Sequence, residues 1–176
     1  YGRDCRVSME IPGPKVRIDR VLSKLPRARV FTGDVLFLTG SKSMQLPSGV
    51  SIAMRLSIPE IIPSLRVGEA VIIDDGHVES VVEELMNGGA LLKVTRVIRE
   101  RGVLIRPEKG VNFPGIDFRI PLLSARDKEI LQFACRYADI IGCSFVRDKA
   151  DIDMLLEEIN RHLETPNSRP LIVKLE

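Results

Sequence analysis

Two charged residues, Lys174 and Glu176, interrupt the apolar run "PLIVKLE" that ends the sequence. Successive side chains of a β-strand point to opposite faces, so residues two apart project from the same face. Burial of an ammonium and a carboxylate on an inward face is costly unless the groups are paired or take part in chemistry. The spacing therefore allows a functional cation–carboxylate pair. Taken alone, the strand favours the simpler alternative, a strand end in solvent with the two charges merely paired.

The elements that would position such residues change along the chain. Between residues 30 and 105, short runs rich in Val, Ile and Leu alternate with turn signals such as Asp75-Gly76 and Gly88-Gly89. Several short strands joined by tight turns predict a small antiparallel β-barrel or sandwich. A helical segment at 57–65 would be limited to about one turn by Pro63. The strand candidates are 35–40, 49–56, 69–76, 77–85, 90–98 and 102–106.

From residue 107 onward the pattern is typical of alternating helices and strands. Ser124 occupies the position of a helix N-cap, Asp127 is its capping-box partner, and apolar residues recur behind them at helical spacing. A buried strand at 138–146, a second helix from about Ala150 and a final strand at 170–176 follow. Helices that alternate with nearly continuous apolar strands predict parallel α/β architecture.

Composition excludes several classes of function. Apolar residues make up 44% of the 176 residues, and 26 basic against 24 acidic side chains give a net charge of +2. Because the charges are interspersed, we expect no nucleic-acid partner, and the basic stretch 23–29 is interpreted as a solvated turn. No apolar run approaches the roughly 20 residues that span a bilayer, so no membrane partner is expected. Three cysteines without a Cys-x-x-Cys pair favour a reduced, cytoplasmic protein.

Short motifs that occur in order along the chain resemble the pattern of the pyruvate kinase family. "EIPGPKVR" (10–17) resembles the family's third barrel strand, usually Asp-Thr-Lys-Gly-Pro-Glu-Ile-Arg. "VGEAVIIDDG" (67–76) resembles a stretch of the family's lid domain, and "EKGVNFPG" (108–115) resembles its return into the barrel. "IIGCSFVR" (140–147) and "LIVKLE" (171–176) resemble barrel strands four and five. Any one motif is weak, but the ordered set touches nearly the whole chain.

The resemblance implies an α/β fold, a partial (β/α)8 TIM-type barrel with an inserted small all-β barrel that acts as a lid. Residues 1–17 would contribute strand three, residues 18–108 the inserted domain, and residues 109–176 strands four and five with their helices. In such barrels the chemistry lies at the C-terminal ends of the strands. Three strands cannot close an eight-stranded barrel, and the sequence starts with Tyr1 rather than Met. We therefore expect a piece of a longer polypeptide that is inactive by itself.

The resemblance also implies an activity: phosphoenolpyruvate transfers its phosphoryl group to ADP, giving pyruvate and ATP in the final step of glycolysis. The cofactor would be Mg²⁺ or Mn²⁺, which suits oxygen ligands and phosphoryl transfer. By similarity, Lys174 would be the catalytic lysine that neutralises the phosphoryl group in transit and the enolate left behind. Glu176 would be a ligand of the metal. Relatives are commonly tetramers, so a homo-oligomer is expected.

Further residues take roles from the same resemblance. Arg17 and Lys109 would contact the nucleotide phosphates, Lys109 as the lid closes. Asp75 is assigned to the same nucleotide site and would face the barrel on closure. For these three residues an ordinary surface charge is the alternative. Ser144 and Phe145 would form part of the wall of the substrate site at the end of strand four.

The third-strand motif departs from the family pattern in two places. Glu10-Ile11-Pro12 replaces Asp-Thr-Lys, of which the first two residues usually help to hold a potassium ion, and Ile11 has no side-chain oxygen to offer. Lys15 stands where potassium-dependent members carry Glu, whereas members that work without potassium carry Lys there. An ammonium group can deliver the same +1 charge as the monovalent cation. We therefore predict that potassium is not required.

Two alternatives stay open. The first is a catalytically lapsed pyruvate-kinase-like protein that binds nucleotide or partners, which the altered Glu10-Ile11-Pro12 strand favours. The second is a free-standing β-barrel binding module, which the parallel α/β pattern after residue 107 disfavours.

Overall fold

A computed structural model describes residues 5–116, 120–165 and 168–175 of the chain. These residues form two compact units. The first unit contains the described residues up to Lys15 and those from residue 120 onward, and the second extends from Val16 to residue 116. The chain therefore starts in the first unit, builds the second and then returns to the first.

Short strands dominate the second unit, whereas the described part of the first unit combines two α-helices with three strands. A 3-10 helix covers Pro59–Ser64, where the predicted single turn contains Pro63. The two α-helices are α1 (Ala125–Tyr137) and α2 (Lys149–Asn160). The strands are β1 (Ser8–Ile11), β2 (Ile18–Ser23), β3 (Arg29–Val30), β4 (Val35–Thr39), β5 (Ile52–Leu56), β6 (Ala70–Ile73), β7 (Val78–Met86), β8 (Gly89–Val97), β9 (Val103–Leu104), β10 (Val111–Asn112), β11 (Ile140–Val146) and β12 (Leu171–Leu175).

The first unit is built on a parallel sheet with strand order β1-β11-β12, so the predicted parallel α/β pattern is confirmed. Helix α1 begins where the sequence predicts. The Ser124 hydroxyl accepts from the backbone N–H of Asp127 at 3.1 Å, and the Asp127 carboxylate accepts from the backbone N–H of Ser124 at 2.9 Å. This reciprocal capping box satisfies two N–H groups that a helix start otherwise leaves unpaired.

The period of two along the strands gives the first unit's sheet two different faces. Ile11, Ile141 and Cys143 are fully buried in one hydrophobic core together with Leu131 of α1 and Leu155 of α2. Residues that alternate with these core positions project from the opposite face. That face carries the polar side chains of Glu10, Ser144 and Lys174.

The second unit is built on a mixed sheet with strand order β10-β6-β7-β8-β4-β5-β2. Most neighbouring pairs are antiparallel, as predicted, and the β7–β8 hairpin turns through Asn87-Gly88. The expectation of a wholly antiparallel arrangement is wrong for β4 and β5, which pair in parallel. Parallel neighbours need a long crossover rather than a tight turn, and residues 40–51 supply it.

All three cysteines lie in the first unit. Cys135 and Cys143 are buried, whereas Cys5 is exposed. Within the described residues, no helix is long and apolar enough to cross a membrane.

Candidate functional site

Three polar residues from the three parallel strands meet near the strands' carboxyl ends. The ammonium of Lys174 and the hydroxyl of Ser144 both donate to the same carboxylate oxygen, Oε1 of Glu10, each at 2.5 Å. Because neighbouring parallel strands end at the same edge of a sheet, residues far apart in sequence come together here. Lys174 thus has a carboxylate partner that the sequence interpretation did not assign to it.

The charges of this site stabilise each other in an environment open to water. The Ser144 side chain is buried, whereas the side chains of Glu10 and Lys174 are 46% and 49% exposed. The hydrogen bond from Lys174 lowers the pKa of Glu10, and the hydrogen bond from Ser144 acts in the same direction, against partial desolvation. Ion pairs this exposed contribute little to folding stability, because water and salt screen them. We infer that the contact orients Lys174 more than it stabilises the fold.

The turn after β1 packs directly against the end of β11. Gly13 has φ +67°, and a Cβ at this position would lie 2.4 Å from the carbonyl oxygen of Ser144. Phe145 also has a positive φ of 60°, at a register irregularity of β11. A bulky residue in this region is strained, and such strain is concentrated at functional sites. The Lys15 ammonium lies 6.0 Å from the centre of the Phe145 ring, at the outer limit of a cation–π contact.

A second group of predicted residues lies in the second unit, around Asp74. Lys109 forms an ion pair with Asp74 at 2.8 Å, and Nδ1 of His77 lies 2.5 Å from the Asp74 carbonyl oxygen. Asp75 is exposed and has no described contact with Lys109. The sequence interpretation chose the second residue of the Asp-Asp doublet, whereas the structure places the first beside Lys109. Both aspartates have positive φ, 55° and 53°, so the tight turn decides which side chain points to Lys109.

Arg17 is fixed where the chain enters and leaves the second unit. Its guanidinium donates to the carbonyl oxygen of Glu108 at 2.7 Å, and its backbone forms an antiparallel bridge with Gly110. Further backbone hydrogen bonds join Ile18 to Lys109 and Val111 to Val16. The entering and leaving segments therefore run side by side. Arg17 lies opposite Gly110, the residue that follows Lys109.

The fit of a divalent metal can be tested on the side chains that surround these groups. Within the described residues, no three side chains of His, Cys, Asp or Glu lie close enough together to bind a metal ion. In the first unit, the Glu10 oxygen already accepts from Lys174 and Ser144. The described residues alone therefore do not fit a divalent cation. The predicted metal ligand, Glu176, lies outside the described residues.

Comparisons with known proteins place the chain in a family. A family profile described as "Pyruvate kinase, barrel domain" matches residues 1–176. "Pyruvate kinase 2" of Synechocystis sp. is 29% identical over 171 residues, which cover 97% of this chain and 27% of that protein. "Pyruvate kinase" of Corynebacterium efficiens is 28% identical over 179 residues, which cover 99% of this chain and 34% of that protein.

A solved structure is similar over the same span. The crystal structure of Cryptosporidium parvum pyruvate kinase has a TM-score of 0.74 and 27% identity, with 96% of this chain and 34% of that chain covered. The chain thus spans about a third of the length of these relatives, or less. Because the family profile matches along the whole sequence, the chain belongs to the pyruvate kinase family.

Proposed function

We propose that this chain forms part of an enzyme that transfers the phosphoryl group of phosphoenolpyruvate to ADP, giving pyruvate and ATP. Family membership supports a kinase of this type. The observation that carries the proposal is the convergence of Glu10, Ser144 and Lys174 at the ends of three parallel strands. In α/β barrels this edge of the sheet bears the catalytic groups. The proposed architecture is a TIM-type barrel with the second unit as its lid, with the predicted boundaries at residues 17 and 108.

Lys174 is the proposed catalytic residue because its ammonium can stabilise the negative charge that develops during the reaction. The transferred phosphoryl group spreads negative charge over its oxygens, and the departing enolate gains negative charge. A fixed cation at this point stabilises both. In the resting site Glu10 balances the Lys174 ammonium, so Lys174 must shift from Glu10 towards the phosphoryl oxygens when substrate binds. Glu10 is thereby a positioning residue that keeps Lys174 at the strand ends.

Ser144, Phe145 and the three residues of the nucleotide assignment complete the proposed site. Ser144 and Phe145 would line the substrate pocket, and the positive φ of Phe145 lies next to the last residue of β11. Arg17 and Lys109 would contact the nucleotide phosphates, and the guanidinium fork suits that task. Asp75 is proposed to face the nucleotide as well, since its side chain is exposed and has no described partner.

A divalent metal belongs to the proposal at the level of the family, whose members generally use one. Mg²⁺ or Mn²⁺ would supply charge neutralisation at the phosphates when bound, with Glu176 as the proposed ligand. We also propose the cytoplasm as its location, a homo-oligomer as its assembly, and phosphoenolpyruvate with ADP or ATP as its partners.

Potassium independence is proposed from Lys15. Its ammonium lies beside Phe145, the neighbour of Ser144. A permanent +1 charge is thus placed close to the strand-end site, which is formed by Glu10, Ser144 and Lys174. Replacing sodium by potassium in the longer enzyme is expected to leave the turnover rate unchanged. Lys15→Glu is expected to lower the rate in sodium, with lysine-to-arginine replacement as the charge-retaining control. A several-fold higher turnover rate of the unsubstituted enzyme in potassium than in sodium would contradict the proposal.

The activity itself is tested by coupling pyruvate formation to lactate dehydrogenase in the longer protein that contains this chain. Turnover that disappears in Lys174→Met, with unchanged circular dichroism, supports the kinase. The lapsed-enzyme alternative has one specific observation in its favour, the commitment of the Lys174 ammonium to Glu10. Turnover no higher than that of Lys174→Met, combined with retained ADP binding, would favour this alternative.

A further inference from the structure

The second unit contains a cavity of about 380 Å³, most of whose lining residues take no part in the proposed catalytic steps. Strands β3 and β9 form one side of it. We call it the arginine pocket, because five of the side chains that line it are arginines. These are Arg27, Arg29, Arg99, Arg101 and Arg106.

The arginine pocket has a strong excess of positive charge. Lys109 and His77 also line it, and Asp74 is the acidic residue among the lining residues. The Asp74 carboxylate is already paired with Lys109 at 2.8 Å. Among the lining residues, no carboxylate is therefore left to offset the charges of the arginines, and the pocket favours an anion.

Arg29 differs from the other arginines because the backbone holds it. Its guanidinium donates to the carbonyl oxygens of Arg101 and Gly102, each at 2.8 Å. Gly102 has φ +76°, and a Cβ there would lie 2.8 Å from the carbonyl oxygen of Val30. The N–H of Gly102 also donates to the carbonyl oxygen of Arg99 at 2.8 Å. The turn that carries Arg99 and Arg101 is thus packed closely onto β3.

The remaining four arginines of the pocket have no ion pair or side-chain hydrogen bond to the part of the chain that the structure describes. Elsewhere in the same unit, Arg55 pairs with Asp19 and Arg96 pairs with Glu79. The sequence interpretation assigned Arg27 and Arg29 to a solvated basic turn. The pairing of β3 with β9 brings that turn against a second basic turn at residues 99–102.

We propose that the arginine pocket binds a small anion with several phosphate groups. The pocket shares Lys109 with the proposed nucleotide contacts, whereas Arg17 and Asp75 do not line it. Guanidinium groups form paired, charge-assisted hydrogen bonds with phosphate oxygens. A single phosphate group carries a charge of only about −2 near neutral pH, whereas linked phosphates carry more charge and can reach more of the arginines. The volume lies at the lower end of the range of about 300–1,000 Å³ for small-molecule sites.

The experiment is isothermal titration calorimetry of the full 176-residue chain with inorganic tripolyphosphate. Orthophosphate and citrate are the comparison anions. Tripolyphosphate is expected to bind at least tenfold more tightly than either. Arg99→Gln combined with Arg101→Gln is expected to weaken its binding at least tenfold. These side chains are exposed, and the substitutions retain the backbone carbonyl that Arg29 uses, so circular dichroism should stay unchanged.

The matched control removes the same charge elsewhere on the second unit. Arg20 and Arg66 are exposed and lie outside the pocket, so Arg20→Gln combined with Arg66→Gln should change the affinity by less than about twofold, as screened distant charges do. Equal weakening by both double variants would show a diffuse charge effect and overturn the proposal. Absence of tripolyphosphate binding to the unsubstituted chain would overturn it as well.

A further variant separates this site from the proposed kinase function. Arg17→Gln should leave tripolyphosphate binding unchanged, and a loss equal to that of the pocket variant would assign the probe to the nucleotide site and refute a separate pocket. The kinase proposal is tested separately, by measuring the turnover of the longer protein. The two proposals can therefore fail independently.

Discussion

Gly13 offers a sharp test of how the strand-end site is built. The turn after β1 can approach β11 because residue 13 has no side chain and adopts φ +67°. Replacing Gly13 by alanine adds one methyl group at the place where the first unit has no room for it. The prediction is that Gly13→Ala destabilises the first unit and displaces the backbone of Ser144.

The size of the effect follows from two separate costs. A left-handed backbone costs alanine roughly 1–2 kcal/mol relative to glycine. The new Cβ would lie 2.4 Å from the Ser144 carbonyl oxygen, well inside the roughly 3.3 Å at which carbon and oxygen atoms ordinarily meet. A backbone oxygen cannot rotate away, so the chain must move, and such overpacking costs about 1–3 kcal/mol. Together these give a loss of about 2–5 kcal/mol in the free energy of unfolding.

The assay is urea denaturation followed by far-ultraviolet circular dichroism. Both described α-helices lie in the first unit, so the helical signal reports mainly on that unit. Gly142→Ala is the matched control in the neighbouring strand. Its Cβ would meet Glu10 at an ordinary 3.5 Å and its φ is not positive. We therefore expect the free energy of unfolding to change by no more than about 1 kcal/mol.

Equal effects of the two substitutions would refute the close-approach argument. Gly13→Asn separates the two costs, because asparagine tolerates a left-handed backbone but still carries a Cβ. A full recovery of stability in Gly13→Asn would show that strain alone explains Gly13, and that the contact with Ser144 is unimportant. In the longer enzyme, a backbone shift of about 1 Å is expected to lower turnover on the order of 100-fold.

Three further predictions follow from the first unit. Ser124→Ala removes the hydroxyl of the capping box and should cost about 1 kcal/mol in the same urea assay, whereas Ser124→Asp, which can still cap, should cost less. Because the pKa of Glu10 lies below its ordinary 4.5, its contact with Lys174 should contribute stability above about pH 4.5 and lose it as the pH falls further. Carbon NMR of the Glu10 carboxyl should show this lowered pKa, and an unshifted value would contradict the contact. Burial raises the pKa of the Cys143 thiol to about 11, so Ellman's reagent should label exposed Cys5 quickly and the two buried cysteines after unfolding. Fast labelling of all three in the folded chain would contradict the core assignment.

The first unit was predictable from sequence because its signals are local. The capping box at Ser124 depends on residues three apart, and a helix start of this kind needs no tertiary information. The apolar periodicity of the following helix and strand can likewise be read within a short window of sequence. The parallel pairing of β4 with β5 was missed because the turn signals around Pro47 indicate a reversal of the chain, whereas residues 40–51 form a crossover.

The partners within the candidate site were less predictable. Lys174 and Ser144 were assigned to the site through motifs, but their shared contact with Glu10 depends on the register of three strands. Sequence alone does not give that register. The choice between Asp74 and Asp75 depends on the backbone angles of one tight turn, which the Asp-Asp-Gly motif leaves undetermined. The arginine pocket needed the pairing of β3 with β9, two short strands more than 70 residues apart that carry little strand signal.

The two departures of the third-strand motif from the family pattern can be compared through their charges. The potassium-dependent pattern has Asp, Lys, Glu and Arg, whose charges cancel, and its bound potassium ion adds +1. In this chain Glu10, Lys15 and Arg17 carry the same total of +1 with no added cation. The structure gives Ile11 a fully buried place in the hydrophobic core, so its side chain is unsuited to hold a cation. We therefore propose that the gain of the ammonium at Lys15 compensates the loss of the cation ligand at Ile11, so that the motif keeps the same net charge without a bound potassium ion.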